Sequence, residues 1–124
     1  MKHTIASAIR NMHPTAYFNS SDTYDSIEWD SDNSDSKPSE SVINNKITAL
    51  DNDEPKRLLR IERNILLSEC DWTRLDDNGL SGSKKTEWAT YRQALRDLPA
   101  SANPTLDSFY ELNFSSVSWP TKPS

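Results

Sequence analysis

Apolar residues recur at three-to-four spacing in several stretches of the chain, and at two-residue spacing in one short stretch between them. From Thr4 to Asn11 the spacing of Ile5, Ala8, Ile9 and Met12 predicts a short amphipathic helix that ends before Pro14. Ala16-Tyr17-Phe18 and Ser26-Ile27-Glu28-Trp29 predict two short strands separated by the polar turn Asn19 to Thr23. Ile27 and Trp29 share a face of the second strand, with Glu28 on the other. Asp30 to Ser36 offers no core residue. Lys37-Pro38-Ser39-Glu40 then opens a helix with Ser39 as N-cap, and Val42, Ile43, Ile47 and Leu50 give it one apolar stripe. Residues 4 to 50 thus read as α-β-β-α, and the cluster Asp51-Asn52-Asp53-Glu54-Pro55 predicts a break and a module boundary.

The second half has the stronger periodicity. Pro55 suits a first helical turn, and the pattern runs to about Cys70. Its apolar residues form two stripes about 100° apart, Leu58, Ile61 and Ile65 on one and Leu59, Leu66 and Cys70 on the other. Glu62 and Glu69 fall between them, so the helix is expected to pack against two different neighbours. Asp71 to Gly79 turns the chain. A second helix follows from about Ser83 to Leu98, with Trp88, Tyr91, Leu95 and Leu98 on one stripe and Pro99 as its stop. The expected hairpin core is Leu58, Ile61, Ile65, Trp72, Trp88, Tyr91 and Leu95, with Trp72 against Trp88 at the base. From Ala100 an extended segment is expected, bounded by prolines and rich in aromatics. Its Leu112, Phe114, Val117 and Trp119 either form the edge of a strand pair or pack back over the hairpin. Removing the chain from Phe109 onward is expected to leave the hairpin folded.

Composition favours small modules over one core. Only 34% of the 124 residues are hydrophobic and 27% are charged, and small chains bury a smaller share of their surface. The fold class expected is α+β: an N-terminal α-β-β-α module over residues 1–53, then an antiparallel helical hairpin with an aromatic, proline-bounded tail over 54–124. A net charge of -5 argues against nucleic acid or an anionic membrane as partner. The first residues carry no apolar run of signal-peptide length, and no stretch could span a bilayer. Cys70 is the only cysteine, which excludes an intrachain disulfide and fits a reducing compartment, so a cytoplasmic protein is expected.

Catalytic and metal chemistry find little foothold. His3 and His13 stand alone, without zinc-ligand spacing. The run Asp30-Ser31-Asp32-Asn33-Ser34-Asp35 has Asp35 where a calcium loop needs glycine and Ser41 where it needs the bidentate glutamate. Cys70 lies on an apolar stripe with no histidine near it in sequence, which reads as a buried structural thiol. Glu62 and Glu69 read as ion-pair partners of Arg60, Arg63, Arg92 or Arg96 rather than an acid–base pair. Gly79 and Gly82 cannot build a phosphate loop, and Lys56, Arg57, Arg60 and Arg63 read as a solvated helix face. No enzyme, cofactor or metal is expected. Protein binding remains, with Phe109, Tyr110, Phe114 and Trp119 of the tail and Leu59 and Leu66 of the helix as candidate partner-binding residues.

Residues 62 to 75, Glu-Arg-Asn-Ile-Leu-Leu-Ser-Glu-Cys-Asp-Trp-Thr-Arg-Leu, resemble the opening of the phage tail assembly chaperone family, where an arginine-led amphipathic stretch ends in Asp-Trp-Thr. Trp88-Ala-Thr-Tyr-Arg-Gln-Ala-Leu-Arg-Asp-Leu-Pro99 is similar to the family's second signature, and Val117-Ser-Trp-Pro-Thr-Lys-Pro123 to its tryptophan-proline ending. The stretch from Ala100 to Ser116 is longer and more aromatic than the family's link, and the first 50 residues lie outside the signature. The resemblance implies a non-enzymatic role in tail or tail-fibre morphogenesis, with tail, tail-fibre or baseplate proteins as partners and the host cytoplasm as the place of action. The alternative it leaves open is a minor structural virion subunit, a baseplate or tail-fibre adaptor present in several copies in the mature tail.

Overall fold

Thr4 starts the first helix, α1 (Ile5–Met12), through a reciprocal cap: its Oγ1 accepts from the Ser7 amide at 3.2 Å, and its amide donates to Ser7 Oγ at 2.8 Å. The computed structural model describes residues 2–124. It divides into two compact units, Met1–Glu54 and Pro55–Ser124, and the architecture is mixed α+β.

In the first unit, β1 (Phe18–Asn19) pairs antiparallel with β2 (Glu28–Trp29), in the register Phe18 to Trp29 and Asn19 to Glu28. The strands are shorter than the alternation predicts. One residue before β1, the Asp30 amide still donates to the Tyr17 carbonyl at 3.1 Å, and the Asn33 side chain adds to the pairing, accepting from the Tyr17 amide at 2.9 Å and donating to its carbonyl at 2.8 Å. The acidic run is thereby tied down. Ala8 and Ile9 of α1, Ile27 and Ile43 form the buried core, flanked by Ile5, Met12, Phe18, Tyr24, Trp29, Ile47 and Leu50. Val42, assigned to the same stripe by spacing, is exposed.

The expected break at Asp51–Pro55 does not occur. The helix that Ser39 caps, with its Oγ accepting from the Val42 amide, is α2 (Glu40–Glu69), and it runs unbroken through Pro55. A proline in a helix interior costs about 3 kcal/mol. Packed turns on both sides offset that cost, with Ile43, Ile47 and Leu50 before Pro55 and Leu58 and Leu59 after it. The acidic residues of the cluster are held as well: Asp51 Oδ1 accepts from the His3 amide at 3.0 Å, and Glu54 lies 3.1 Å from His3 Nε2.

In the second unit, the last half of α2 is followed by a single 3-10 turn (Asp71–Arg74) and by α3 (Gly82–Ser101), which Ser81 caps by accepting from the Lys84 amide. Pro99 does not stop α3. It sits in the last turn, where Lys56 Nζ donates to its carbonyl at 3.0 Å and the Ala102 amide closes the helix on Leu98. The tail is not extended either. Thr105 to Asn113 forms a tight hairpin around an isolated Leu106–Leu112 bridge, and Phe114–Ser116 makes a 3-10 turn. No helix among the described residues is long and apolar enough to cross a membrane.

Candidate functional site

The helical hairpin closes around a largely enclosed cation, Arg92, whose side chain is 11% exposed. Arg92 of α3 donates from Nη1 to the Leu67 carbonyl at 2.9 Å and to Cys70 Sγ at 3.1 Å, and from Nη2 to Asp71 Oδ1 at 2.9 Å. Burial pulls its pKa down, but the hydrogen bonds and charges of Cys70 and Asp71 outweigh that and hold it above the ordinary value. Thr73 is buried, donates to the Cys70 carbonyl at 2.7 Å, and presents its own carbonyl to Asn78 Nδ2. Trp72 and Trp88 meet edge to face with ring centres 5.6 Å apart, and Trp88 meets Tyr91 at 5.8 Å. The residues that carry the family resemblance, Asp71, Trp72, Thr73, Trp88 and Arg92, are therefore the joint of the hairpin. Burial raises the Tyr91 pKa, and the neighbouring Cys70 and Glu69 charges add to that.

Which face of α2 meets α3 differs from the sequence expectation. Leu59 is fully buried with Leu98, Leu112 and Val117, with Leu58, Ala102 and Trp119 around them. Cys70, Trp88, Tyr91 and Leu95 form a second buried cluster, flanked by Leu66, Leu67 and Leu80. Ile61, Ile65 and Trp72, expected in the core, are 45%, 46% and 45% exposed, although Trp72 still meets Trp88 by one edge. Leu58 packs in the hairpin as expected, but Leu59 and Leu66, expected to face a partner, pack inside it as well. The reason lies in hydrogen bonds between residues distant in sequence. Arg92 reaches for the Leu67 carbonyl and Cys70, and Arg63 Nη1 for the Arg96 carbonyl, which turns the Leu59–Cys70 side toward α3. Those bonds also redirect the charges: Arg92 pairs with Asp71, while Arg63 Nε donates to Asn64.

The tail aromatics part ways as well. Leu112 and Val117 anchor the tail in the Leu59 cluster, and Trp119 packs beside them, 5.8 Å from the Phe114 ring. Between those anchors the chain projects outward. Asp107 Oδ1 accepts from the amides of Phe109 and Glu111 at 2.8 and 3.1 Å, and the Asp107 amide donates to the Glu111 carbonyl at 2.7 Å. Tyr110 adopts φ 60, a left-handed conformation costing a non-glycine residue roughly 1 kcal/mol. The result is a fixed turn with Phe109 80% exposed at its tip, and with Tyr110 and Phe114 also exposed. The sequence reading did not single out Asp107 and Asn113, although an Asp two residues before a loop tip is a recognisable Asx-turn signal.

Because Leu112 and Val117 belong to the hairpin core, removing the chain from Phe109 onward would strip that core, contrary to the expectation of a separable tail. Among the described residues, no cluster of three or more His, Cys, Asp or Glu is placed to hold a metal ion. No curated protein and no solved structure matches the chain. The model of the phage tail assembly chaperone protein family matches residues 56–124. That match takes in the whole hairpin joint, the Leu59 cluster and the aromatic turn, and this chain belongs to the phage tail assembly chaperone family.

Proposed function

We propose that the protein acts in the host cytoplasm by binding a phage tail or tail-fibre protein and assisting its assembly, without catalysis, and that the Phe109 turn is its principal anchor. The observation that carries this reading is the contrast within the tail: apolar Leu112 and Val117 are buried, while the larger Phe109 stands in water on a turn fixed by Asp107. A preorganised aromatic loses little freedom on binding, and aromatic side chains in desolvated pockets dominate interface energies. Tyr110 and Phe114 extend the same surface. A photo-crosslinking residue placed at position 109 in infected cells is expected to capture a tail or tail-fibre protein. Capture of no phage protein at position 109, with capture at Asp97 on α3 instead, would remove the turn from the interface.

A second reading, a minor subunit kept in the virion as a baseplate or tail-fibre adaptor, draws support from the exposed Ile61 and Ile65, which give the chain another apolar surface apart from the turn. Mass spectrometry of purified particles separates the two. Peptides of this chain in fixed ratio to baseplate or fibre proteins support the adaptor, and their absence supports the transient assembly factor.

A further inference from the structure

On α2, Arg57, Ile61, Ile65 and Glu69 follow one another at four-residue spacing, and all four are exposed. Residues four apart on a helix line up as one ridge, drifting by about 40° per step. Leu59, buried on this stretch of the helix, and Cys70, buried just past its end, lie on the opposite side. The ridge therefore has an apolar centre, a cation toward its amino end and an anion toward its carboxyl end. That order is self-complementary. A second copy laid antiparallel across the point midway between Ile61 and Ile65 sets each Ile61 on Ile65 of the other copy, and each Arg57 on Glu69 of the other copy.

We propose that this ridge is the contact face of a weak two-fold homodimer. A two-fold axis makes the same patch serve both copies, so each apolar and each charged contact forms twice. Arg57 and Glu69 each lie six residues from the crossing point, about 9 Å along the axis, where the helices are still close enough for both side chains to meet. A guanidinium carries five donors, so Arg57 can take this carboxylate in addition to contacts within its own chain. A parallel arrangement would instead set Arg57 on Arg57, which selects the antiparallel one. The segment spans only 13 residues, Arg57 to Glu69, so the contact falls below the roughly 1,600 Å² of a standard interface and the dimer is concentration-dependent. The ridge shares no residue with the Phe109 turn, so the two surfaces can be tested separately.

Sedimentation equilibrium of the full chain at low salt, over a concentration series, is the test. The average mass is expected to rise from that of one chain toward two. Ile65→Asp is expected to stay monomeric with an unchanged circular dichroism spectrum. Arg57→Glu should weaken association on the order of tenfold, by opposing Glu69 of the other copy, and the added change Glu69→Arg should restore it. A wild-type chain that stays monomeric throughout would overturn the proposal. So would a dimer indifferent to Ile65→Asp, or a charge-swapped pair no tighter than Arg57→Glu alone.

Discussion

Two apolar stripes run side by side along the last half of α2, and the structure treats them in opposite ways. Leu59 and Cys70 are enclosed by α3 and the returning tail, while Ile61 and Ile65, just as apolar, remain half in water. Periodicity within one helix fixes where its faces lie, but not which face its neighbours cover. Residues distant in sequence decide that here, Arg92 by reaching for Leu67 and Cys70, and Leu112 and Val117 by folding back on Leu59.

The sharpest way to break this contrast is to remove the covered side. Trp88→Ala deletes the ring shared by Trp72 and Tyr91 and is expected to cost about 3–5 kcal/mol in denaturant unfolding, since large-to-small changes leave a cavity. Leu59→Ala is expected to cost about 2–5 kcal/mol for the same reason. Ile65→Ala, on the uncovered stripe, is expected to stay within about 0.5 kcal/mol of wild type. Equal losses for Leu59→Ala and Ile65→Ala would show that both stripes are buried in solution. Arg92→Ala removes the charge-assisted hydrogen bonds to the Leu67 carbonyl and Asp71, and a drop of about 1–3 kcal/mol in the same assay is expected.

The smallest expected effect is a pH dependence of the covered side. The Tyr91 pKa is higher folded than unfolded, because burial penalises the phenolate. Its contribution to stability is therefore complete below the unfolded value of about 10 and is lost as pH rises through the folded one. Tyr91→Phe should flatten this alkaline loss in melting curves taken on either side of pH 10. An identical alkaline loss in the variant would place its origin elsewhere.

Much of this was legible in the sequence wherever a local rule acts alone. Thr4 to Met12, the Ser39 cap and the Trp88–Tyr91–Leu95 stripe follow from spacing and capping chemistry. The misread helix ends share one cause, which is tertiary contact overriding a local breaker. Pro55 and Pro99 stay helical because flanking turns are packed and Lys56 satisfies the Pro99 carbonyl. The tail looked extended because its turn is built by side chains, Asp107 and Asn113, rather than by glycine. The candidate binding residues sorted along the same line. Phe109, Tyr110 and Phe114 are presented to solvent, Trp119 packs against Phe114, and Leu59 and Leu66 lie within the hairpin.

The most direct test of the account is to compare Phe109→Ser with wild type in two readings on the same protein: its melting temperature, and its co-purification with the phage's tail and tail-fibre proteins. An unchanged melting temperature with co-purification lost is the predicted result, since exposed Phe109 lies off the core and is the anchor proposed for the partner. Full co-purification by a folded Phe109→Ser protein would contradict the account and move the binding surface away from the turn.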